Sequence, residues 1–376
     1  MRVNHSSAMF DESVNRFGAN LCADGIYATA LQLAGGERTG EIRDSAWGYR
    51  HDMKAITSGS TFHGYCLTKP VSAVAVLAIC EMAGLDIDEP IRPRLDPRKA
   101  SPELGEIPAY VDGSFTVSRL LNHSLGLDSP SAMDFRFHPD ELHAGFVNAA
   151  KPDYRPAYSD FLAGWFLEWV CASVGFSLAN FVEAELLKSV EFGGEISISL
   201  DTSDAIADAQ EKLVVGVGGL PHSYWPFLSE LLEDNLTQVR PAFGGLVSAR
   251  ALAAFLHMYD SVMMGRKVDG WPSSALLKRS LRAQRGHCFD RMLRREGNFG
   301  GGFMLDLRAH GVSPILPPTA IGHTVGYFPG CMGLDVSSGR VFVGLANGMN
   351  FGSDLPTARR LIVEAVWTEL ANSATG

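Results

Sequence analysis

Strand-like segments lie at both ends of this chain, and the long stretch between them is helical in pattern. Near the start, IYATALQLA and SAWGYRH are apolar or alternating runs on either side of the turn-rich GGERTGE, which predicts a β-hairpin ending near residue 51. Near the end, FPGCMGLDV and RVFVGLANG flank Ser337, Ser338 and Gly339, which is a second hairpin pattern. This order predicts an α+β fold, with a sheet built from both ends of the chain and an all-helical region inserted in its middle.

The middle of the chain carries apolar residues at helical spacing between breaks that contain Gly or Pro. We place the sheet domain at residues 1–60 and 296–376 and the helical domain at 61–295, and DLPTARRLIVEAVWTELAN closes the chain as an amphipathic helix. The helical segments are FTVSRLLNHS, DFLAGWFLEWVCASVG, SLANFVEAELLKSV and SARALAAFLHMYDSVMMG.

Composition and charge exclude several classes of protein. The chain has 376 residues, of which 46% are apolar and 20% charged, as in ordinary globular proteins. Its formal charge of −10 argues against nucleic-acid binding, because displacing counterions from phosphates needs a basic face. The start of the sequence lacks a secretory signal pattern and no long apolar run follows, so we predict a cytoplasmic protein that does not enter a membrane.

Cysteine usage fits a reducing compartment. No C-x-x-C pair occurs, so the cysteines are predicted to be free thiols, neither disulfide-bonded nor zinc ligands. They are Cys22, Cys66, Cys80, Cys171, Cys288 and Cys331.

Cys66 and Lys69 stand at the start of a segment that is apolar almost all round. Residues 70–83 predict a buried helix, with Pro70 in its first turn and Gly84 as its stop. Residues spaced i, i+3 share a helix face, and a helix N-terminus with a neighbouring ammonium favours ionisation of a thiol to the nucleophilic thiolate. The alternative is that Cys66 is a small buried hydrophobe and Lys69 a solvated side chain, which spacing alone favours about two to one.

Several motifs resemble those of the serine β-lactamase and penicillin-binding-protein superfamily, most closely its class C β-lactamase-like esterase and transacylase branch. CLTKP resembles the S-x-x-K motif, and LLNHSLGL, AYSDFLAGWFLEWV, AFGGLVSARALAAF and IGHTVGYFPG resemble later motifs in the same order. The resemblance spans nearly the whole chain. It implies a β-lactamase/transpeptidase-like fold, an antiparallel sheet flanked by terminal helices, with the active site in the cleft between the sheet and helical domains.

The resemblance assigns roles by position in these motifs. Cys66 takes the place of the nucleophile, Lys69 that of its proton partner and Tyr158 that of a general acid/base. His323 takes the place of the cation or donor of the third motif. The backbone N–H groups of Cys66 and Gly326 would form the oxyanion hole.

Three departures from the family pattern bear on the chemistry. Cysteine stands at position 66 where the family has serine, and a thiolate needs no base. Asp160 replaces the usual asparagine, and a carboxylate near Lys69 would keep that amine protonated, which suits a cation beside a thiolate. Val325 replaces a glycine, so either the cleft is narrowed or Gly326 serves in its place.

We therefore predict acyl transfer through an S-acyl intermediate on Cys66, in an intracellular biosynthetic reaction that takes its acyl group from a thioester. A hydrolase of esters, amides or β-lactams on the same scaffold is the main alternative. A degenerate protein that binds without turnover is another. A fourth interpretation makes Cys66 an engineered replacement of a natural serine.

The expected partners are a small-molecule acyl donor and acceptor, with an acyl carrier protein or coenzyme A thioester as a candidate donor. The basic segment KRSLRAQRGHCFDRMLRR (278–295) is read as a solvated helix face, in preference to a dock for such a donor. No cofactor or metal is predicted: His138 and His143 are five residues apart, poor spacing for two ligands on one helix face, and no nucleotide-binding motif occurs.

Overall fold

The structure is a computed structural model that describes most of the chain. Asp160, His138 and His143 of the sequence predictions lie outside the described residues. The described residues are 9–23, 30–38, 41–50, 52–92, 111, 113–127, 154–159, 162–199, 213–214, 244–326, 328–348 and 354–373.

Helices and strands follow the predicted order, with strands concentrated towards both ends. The helices of the described residues are α1 (Glu12–Ala23), α2 (Thr68–Met82), α3 (Val117–Leu121), α4 (Leu162–Ser173), α5 (Leu178–Phe181), α6 (Ala249–Met263), α7 (Ser274–Arg282) and α8 (Asp354–Ser373). The strands are β1 (Ala30–Gly36), β2 (Arg43–Gly48), β3 (Thr61–His63), β4 (Leu213–Val214), β5 (Leu246–Val247), β6 (Cys288–Asp290), β7 (Arg295–Gly297), β8 (Phe299–Gly300), β9 (Phe303–Leu305), β10 (Ala320–Thr324), β11 (Cys331–Asp335) and β12 (Arg340–Ala346).

One seven-stranded sheet joins the two ends of the chain. Its order is β2-β1-β12-β11-β10-β9-β8, and each pairing within it is antiparallel. Leu33 of the first hairpin lies opposite Gly344 of the last, so segments more than 300 residues apart share a register. The predicted α+β fold with an antiparallel sheet is confirmed.

Helices cover both faces of this sheet. Adjacent residues of a strand point to opposite faces. A Cβ on Gly35 would meet Val366 and Leu370 of α8, whereas one on Gly36 would meet His257 of α6. α8 and α6 therefore pack on opposite faces, and the two glycines allow their close approach. Every residue of β1 is buried as a result.

Helix α2 forms the core of the region beside the sheet. Every residue from Thr68 to Cys80 is buried, as its apolar circumference predicts, and the helix contacts α4, α7 and β10. It ends as predicted near Gly84, whose φ of +66° favours glycine. The N–H of the next residue, Leu85, donates a hydrogen bond to the Cys80 carbonyl at 2.8 Å and closes the helix end. Among the described helices, the segment Tyr65–Met82 is long and apolar enough to cross a membrane, and 89% of it is buried inside the molecule, as in a core helix.

The structure corrects three secondary-structure predictions. The segment 177–190 is a short α5 followed by a π-helical turn (Val182–Leu186) and a 3-10 turn (Leu187–Ser189), and the indole N–H of Trp271 donates to the Leu186 carbonyl at 2.9 Å where the two turns meet. The basic segment is helical only to Arg282. Gly286, with a φ of +77°, then turns the chain into the β6-β7 hairpin. A small sheet, β4-β3-β5, was not predicted at all, and it leads directly to Cys66.

Candidate active site

Cys66 stands on a sharp turn between β3 and α2. The chain leaves His63, passes Gly64 and forms a 3-10 turn, Tyr65–Leu67, that runs straight into the helix. Tyr65 has a φ of +43°, a left-handed conformation that costs a non-glycine residue free energy and that persists only where the surroundings hold it. Its ring stacks on Phe328 at 5.1 Å between centroids. Cys66 is thus fixed at a strained strand-to-helix junction, 5% exposed.

Lys69 lies one turn along the same helical path and contacts Tyr158. Its Nζ atom lies 4.8 Å from the centroid of the Tyr158 ring, and both side chains are buried. The His323 ring lies 5.8 Å from that of Tyr158. The structure therefore brings Lys69, Tyr158 and His323 together from segments up to 254 positions apart in the sequence.

His123, in the LLNHSLGL motif, positions the segment that carries Tyr158. The Ser159 N–H donates to His123 Nδ1 at 3.2 Å, and the Ala157 N–H donates to its backbone carbonyl at 3.3 Å. The His123 and Tyr158 rings lie 4.8 Å apart. Burial, aided by Arg285 and Lys69, holds the pKa of His123 well below its usual range, so the ring accepts this hydrogen bond as a neutral imidazole.

A buried ion pair supports the backbone of His123. Arg285 donates to the His123 carbonyl at 3.1 Å and to Asp290 at 2.7 Å, with 1% and 0% of the two side chains exposed. Asp290 also accepts N–H groups of Met292 and Leu293 at 2.9 Å each. Part of the basic segment is therefore buried and supports the site. For that part, the interpretation as a solvated helix face is wrong.

His323 is neutral in this site. Burial and then the neighbouring Lys69 hold its pKa well below the usual range, because both disfavour a second cation. Its Nδ1 lies 3.0 Å from the Thr324 backbone, and its buried Nε2 has no hydrogen-bond partner within the described part of the chain. Of the two roles that the resemblance allows, this geometry favours a hydrogen-bonding group over a cation.

Val325 and Gly326 are neighbours in the loop after β10 but differ in burial and in hydrogen bonding. The Val325 N–H donates to the Gly330 carbonyl at 2.9 Å, and the side chain is buried, so this N–H is already used within the loop. Gly326 is exposed, and a Cβ on it would meet no heavy atom within 4 Å. Val325 is thus buried with its N–H paired, and Gly326 is the exposed residue of the two.

Arg359 of α8 holds this loop, and the sequence analysis missed it. Its guanidinium donates to the carbonyls of Val325 at 2.5 Å and Phe328 at 3.5 Å, which bracket Gly326. Burial lowers the pKa of Arg359 to about 10, opposed by Cys331 and, less, Cys66, so it is charged at neutral pH. A signal existed: Arg359 shares the apolar face of α8 with Ile362, Val363 and Val366, where a charge is out of place.

The site thus combines two basic side chains, Lys69 and Arg359, with two neutral histidines, His123 and His323. Basic side chains stabilise negative charge that develops beside them, and the histidines can donate or accept a hydrogen bond. Within the described residues, no group of three or more His, Cys, Asp or Glu side chains could hold a metal ion.

Replacing Arg359 by methionine is expected to lower kcat about 10- to 100-fold with little change in KM. The loop that carries Gly326, the predicted oxyanion donor, would lose the hydrogen bonds that hold it, while substrate contacts would persist. Unpaired carbonyls should also cost about 1–3 kcal/mol of stability. Arg360→Met is the matched control, since that side chain is half exposed and pairs with Glu364. Steady-state kinetics measures kcat and KM, and thermal unfolding measures the change in stability. Equal kcat in the two variants would remove the positioning role.

Comparisons with known proteins bear on the family and the fold of this chain. The family model described as Beta-lactamase matches residues 28–366. A penicillin-binding-protein homologue from Caulobacter crescentus is similar in structure, with a TM-score of 0.71, 18% identity and coverage of 97% of this chain and 99% of that one. No curated protein sequence matches the chain.

Two further solved structures are similar at comparable levels. The D-amino acid amidase of Ochrobactrum anthropi SV3, complexed with L-phenylalanine amide, has a TM-score of 0.66 and 15% identity, covering 96% of this chain and 98% of that one. EstCE1, described as a hydrolase with promiscuous acyltransferase activity, has a TM-score of 0.65 and 15% identity, covering 95% and 99%. At these identities the likeness shows the fold.

Proposed function

The chain belongs to the β-lactamase family, and from that premise we propose that it transfers acyl groups through a covalent S-acyl intermediate on Cys66, with a thioester as donor. Membership confirms the predicted family, the predicted β-lactamase/transpeptidase-like fold and the enzyme class, an acyltransferase or hydrolase of this family. The observation that carries the proposal is the strained turn Tyr65–Leu67, which fixes Cys66 one helical turn before Lys69, the residue in contact with Tyr158.

In the first step, the Cys66 thiolate attacks the carbonyl carbon of the donor thioester. Negative charge develops on the carbonyl oxygen, where the N–H groups of Cys66 and Gly326 would stabilise it. The intermediate collapses, the donor's C–S bond breaks, and the donor thiolate leaves and takes a proton from solvent. One thioester replaces another, so the step needs little driving force, and the acyl group stays activated.

In the second step, an amine or alcohol attacks the acyl carbon. Tyr158 relays the proton of the incoming nucleophile to solvent as the Sγ–C bond breaks, and the Cys66 thiolate returns to the field of Lys69. We propose that Asp160 keeps Lys69 protonated throughout. A thiolate is a better leaving group than the alkoxide of a serine enzyme, so this step favours cysteine.

Hydrolysis of esters, amides or β-lactams is the second candidate function. It is favoured by the similar structures themselves, which include the amidase, a family VIII carboxylesterase and a hydrolase with promiscuous acyltransferase activity. The two functions differ only in the acceptor of the acyl group, water or an amine or alcohol.

The donor's carrier remains a proposal. An acyl carrier protein or coenzyme A would approach with negative charge, and the basic segment 278–295 is the candidate contact. Its Arg279 is paired with Asp86 and Asp88, Arg285 is buried, and Arg295 donates to the His310 carbonyl. The side chains proposed for this contact are therefore the exposed Lys278, Arg282 and Arg294.

The test uses acyl N-acetylcysteamine thioesters with intact-protein and peptide mass spectrometry. We expect one acyl group on Cys66, its loss in Cys66→Ala and its retention in Cys288→Ala, a partly buried cysteine outside the site. Added amines or alcohols should then discharge the adduct faster than water. Equal discharge by water alone would favour the hydrolase, and the absence of any adduct would overturn the covalent mechanism on Cys66.

A further inference from the structure

The Phe299 ring packs against three residues of the candidate site. Its centroid lies 5.5 Å from that of Tyr158, 5.0 Å from that of His123 and 6.5 Å from that of His323. The Arg285 guanidinium lies 4.6 Å from the same centroid. Aromatic rings attract one another at centroid separations of about 4.5–7 Å. One fully buried side chain therefore contacts the segments that carry both Tyr158 and His323.

The backbone of Phe299 is held in place by its surroundings. Its carbonyl accepts the Arg285 N–H at 3.2 Å. The glycine turn that follows is fixed at Gly302, whose N–H donates to the Leu121 carbonyl at 3.2 Å. Gly302 has a φ of +83°, and a Cβ on it would collide with that of Ala73 in α2. The β8-β9 hairpin therefore packs closely on α2 and contacts the end of α3, which leaves the Phe299 ring little room to move.

Tyr158, in contrast, lies on a segment that is neither helix nor strand. The Ala157 and Ser159 N–H groups attach this segment to His123 at 3.3 and 3.2 Å. These bonds fix the main chain but not the two torsions of the tyrosine side chain. The position of the phenolic oxygen therefore depends on the surfaces that the ring packs against, and the Phe299 ring, tilted by 33° to that of Tyr158, is one of them.

We propose that Phe299 is a positioning residue for acyl transfer, which holds the Tyr158 ring so that its hydroxyl faces the acyl group on Cys66. This inference rests on the proposed function, in which Tyr158 relays the proton of the incoming nucleophile. Proton transfer requires the two heavy atoms to approach within hydrogen-bonding distance. A small rotation of the Tyr158 ring would therefore slow the reaction without removing any reacting group.

Phe303, at the other end of the same glycine turn, provides a matched control. Both phenylalanines are 0% exposed. Phe303 pairs with Gly300, the residue next to Phe299, and paired residues share a face of a sheet. The two phenylalanine side chains thus point to opposite faces of the hairpin, and Phe303 packs against Tyr259 of α6 at 4.9 Å between centroids. Phe299→Leu and Phe303→Leu should lower the unfolding temperature by similar amounts.

The test loads the protein with butyryl N-acetylcysteamine and measures discharge of the adduct to ethanolamine at several concentrations. Phe299→Leu should lower kcat about 10- to 100-fold with little change in the KM for ethanolamine, because a misplaced group costs rate and not binding. Phe303→Leu should leave both constants unchanged. In the Tyr158→Phe background, Phe299→Leu should add less than about threefold, since a residue that acts through the hydroxyl has no effect once the hydroxyl is gone.

Equal losses of kcat in Phe299→Leu and Phe303→Leu would overturn the inference. So would a loss from Phe299→Leu that is the same with and without the Tyr158 hydroxyl, because a merely structural role acts in both backgrounds.

Crystal structures of the two variants give a readout that needs no turnover. The Tyr158 ring should turn, or divide between orientations, in Phe299→Leu and stay in place in Phe303→Leu. An unmoved ring in Phe299→Leu would overturn the inference even where acyl transfer is confirmed. A displaced ring in a protein that forms no adduct would support the positioning and overturn the proposed function alone. If Phe299→Leu did not fold, Phe299→Met would decide by the same measurements.

Discussion

Cys66→Ser is expected to lower the rate of acyl-adduct formation at least about 10³-fold. A serine hydroxyl ionises far less readily than a thiol and needs a base to become a nucleophile. The only ammonium on its helix face is Lys69, which is buried beside the Tyr158 ring and in our proposal stays protonated. Adduct formation followed by intact mass spectrometry, with one thioester at several times, measures the rate.

Two comparisons make that result specific. Cys288→Ser carries the same chemical change outside the site and should leave the rate unchanged. Lys69→Ala should slow the alkylation of Cys66 by iodoacetamide, because the sulfur loses a neighbouring basic side chain. A Cys66→Ser variant as fast as the unsubstituted protein, or faster, would instead show a serine mechanism with Lys69 as base and Cys66 as a replacement.

Tyr158→Phe is expected to slow discharge of the adduct to an amine or alcohol about 10²- to 10⁴-fold, the usual contribution of a positioned acid or base. Only the hydroxyl is removed, since the ring keeps its contacts with Lys69, His123 at 4.8 Å and Phe299 at 5.5 Å. Formation of the adduct should change less, because a thiolate leaving group needs little proton transfer. S-acyl protein should therefore accumulate.

The adduct fraction and the product rate, measured in one reaction, check this expectation. Tyr259→Phe is the matched control, because Tyr259 is equally buried but packs in α6 against Phe303, where its loss should not affect turnover. Unchanged discharge in Tyr158→Phe would assign the proton transfer to another group, with neutral His323 the next candidate at 5.8 Å between ring centroids.

The sequence by itself determined the fold class and the positions around which the site is built. The two hairpins, the apolar α2 with its stop at Gly84 and the amphipathic α8 all follow from local periodicity and turn residues, which need no knowledge of distant contacts. The motif order then supplied the family and, through it, Cys66, Lys69, Tyr158 and Gly326. Their catalytic roles are still predictions.

Only the tertiary structure decided what surrounds those residues. The Arg285 contact with His123 spans 162 positions and the Arg359 contact with Val325 spans 34, and neither depends on a local pattern. The neutrality of His323 and the low pKa of His63 are likewise set by burial, which depends on how the sheet, loop and turn close around them. Periodicity places residues on faces of elements, but hydrogen bonds and pKa values depend on which faces meet.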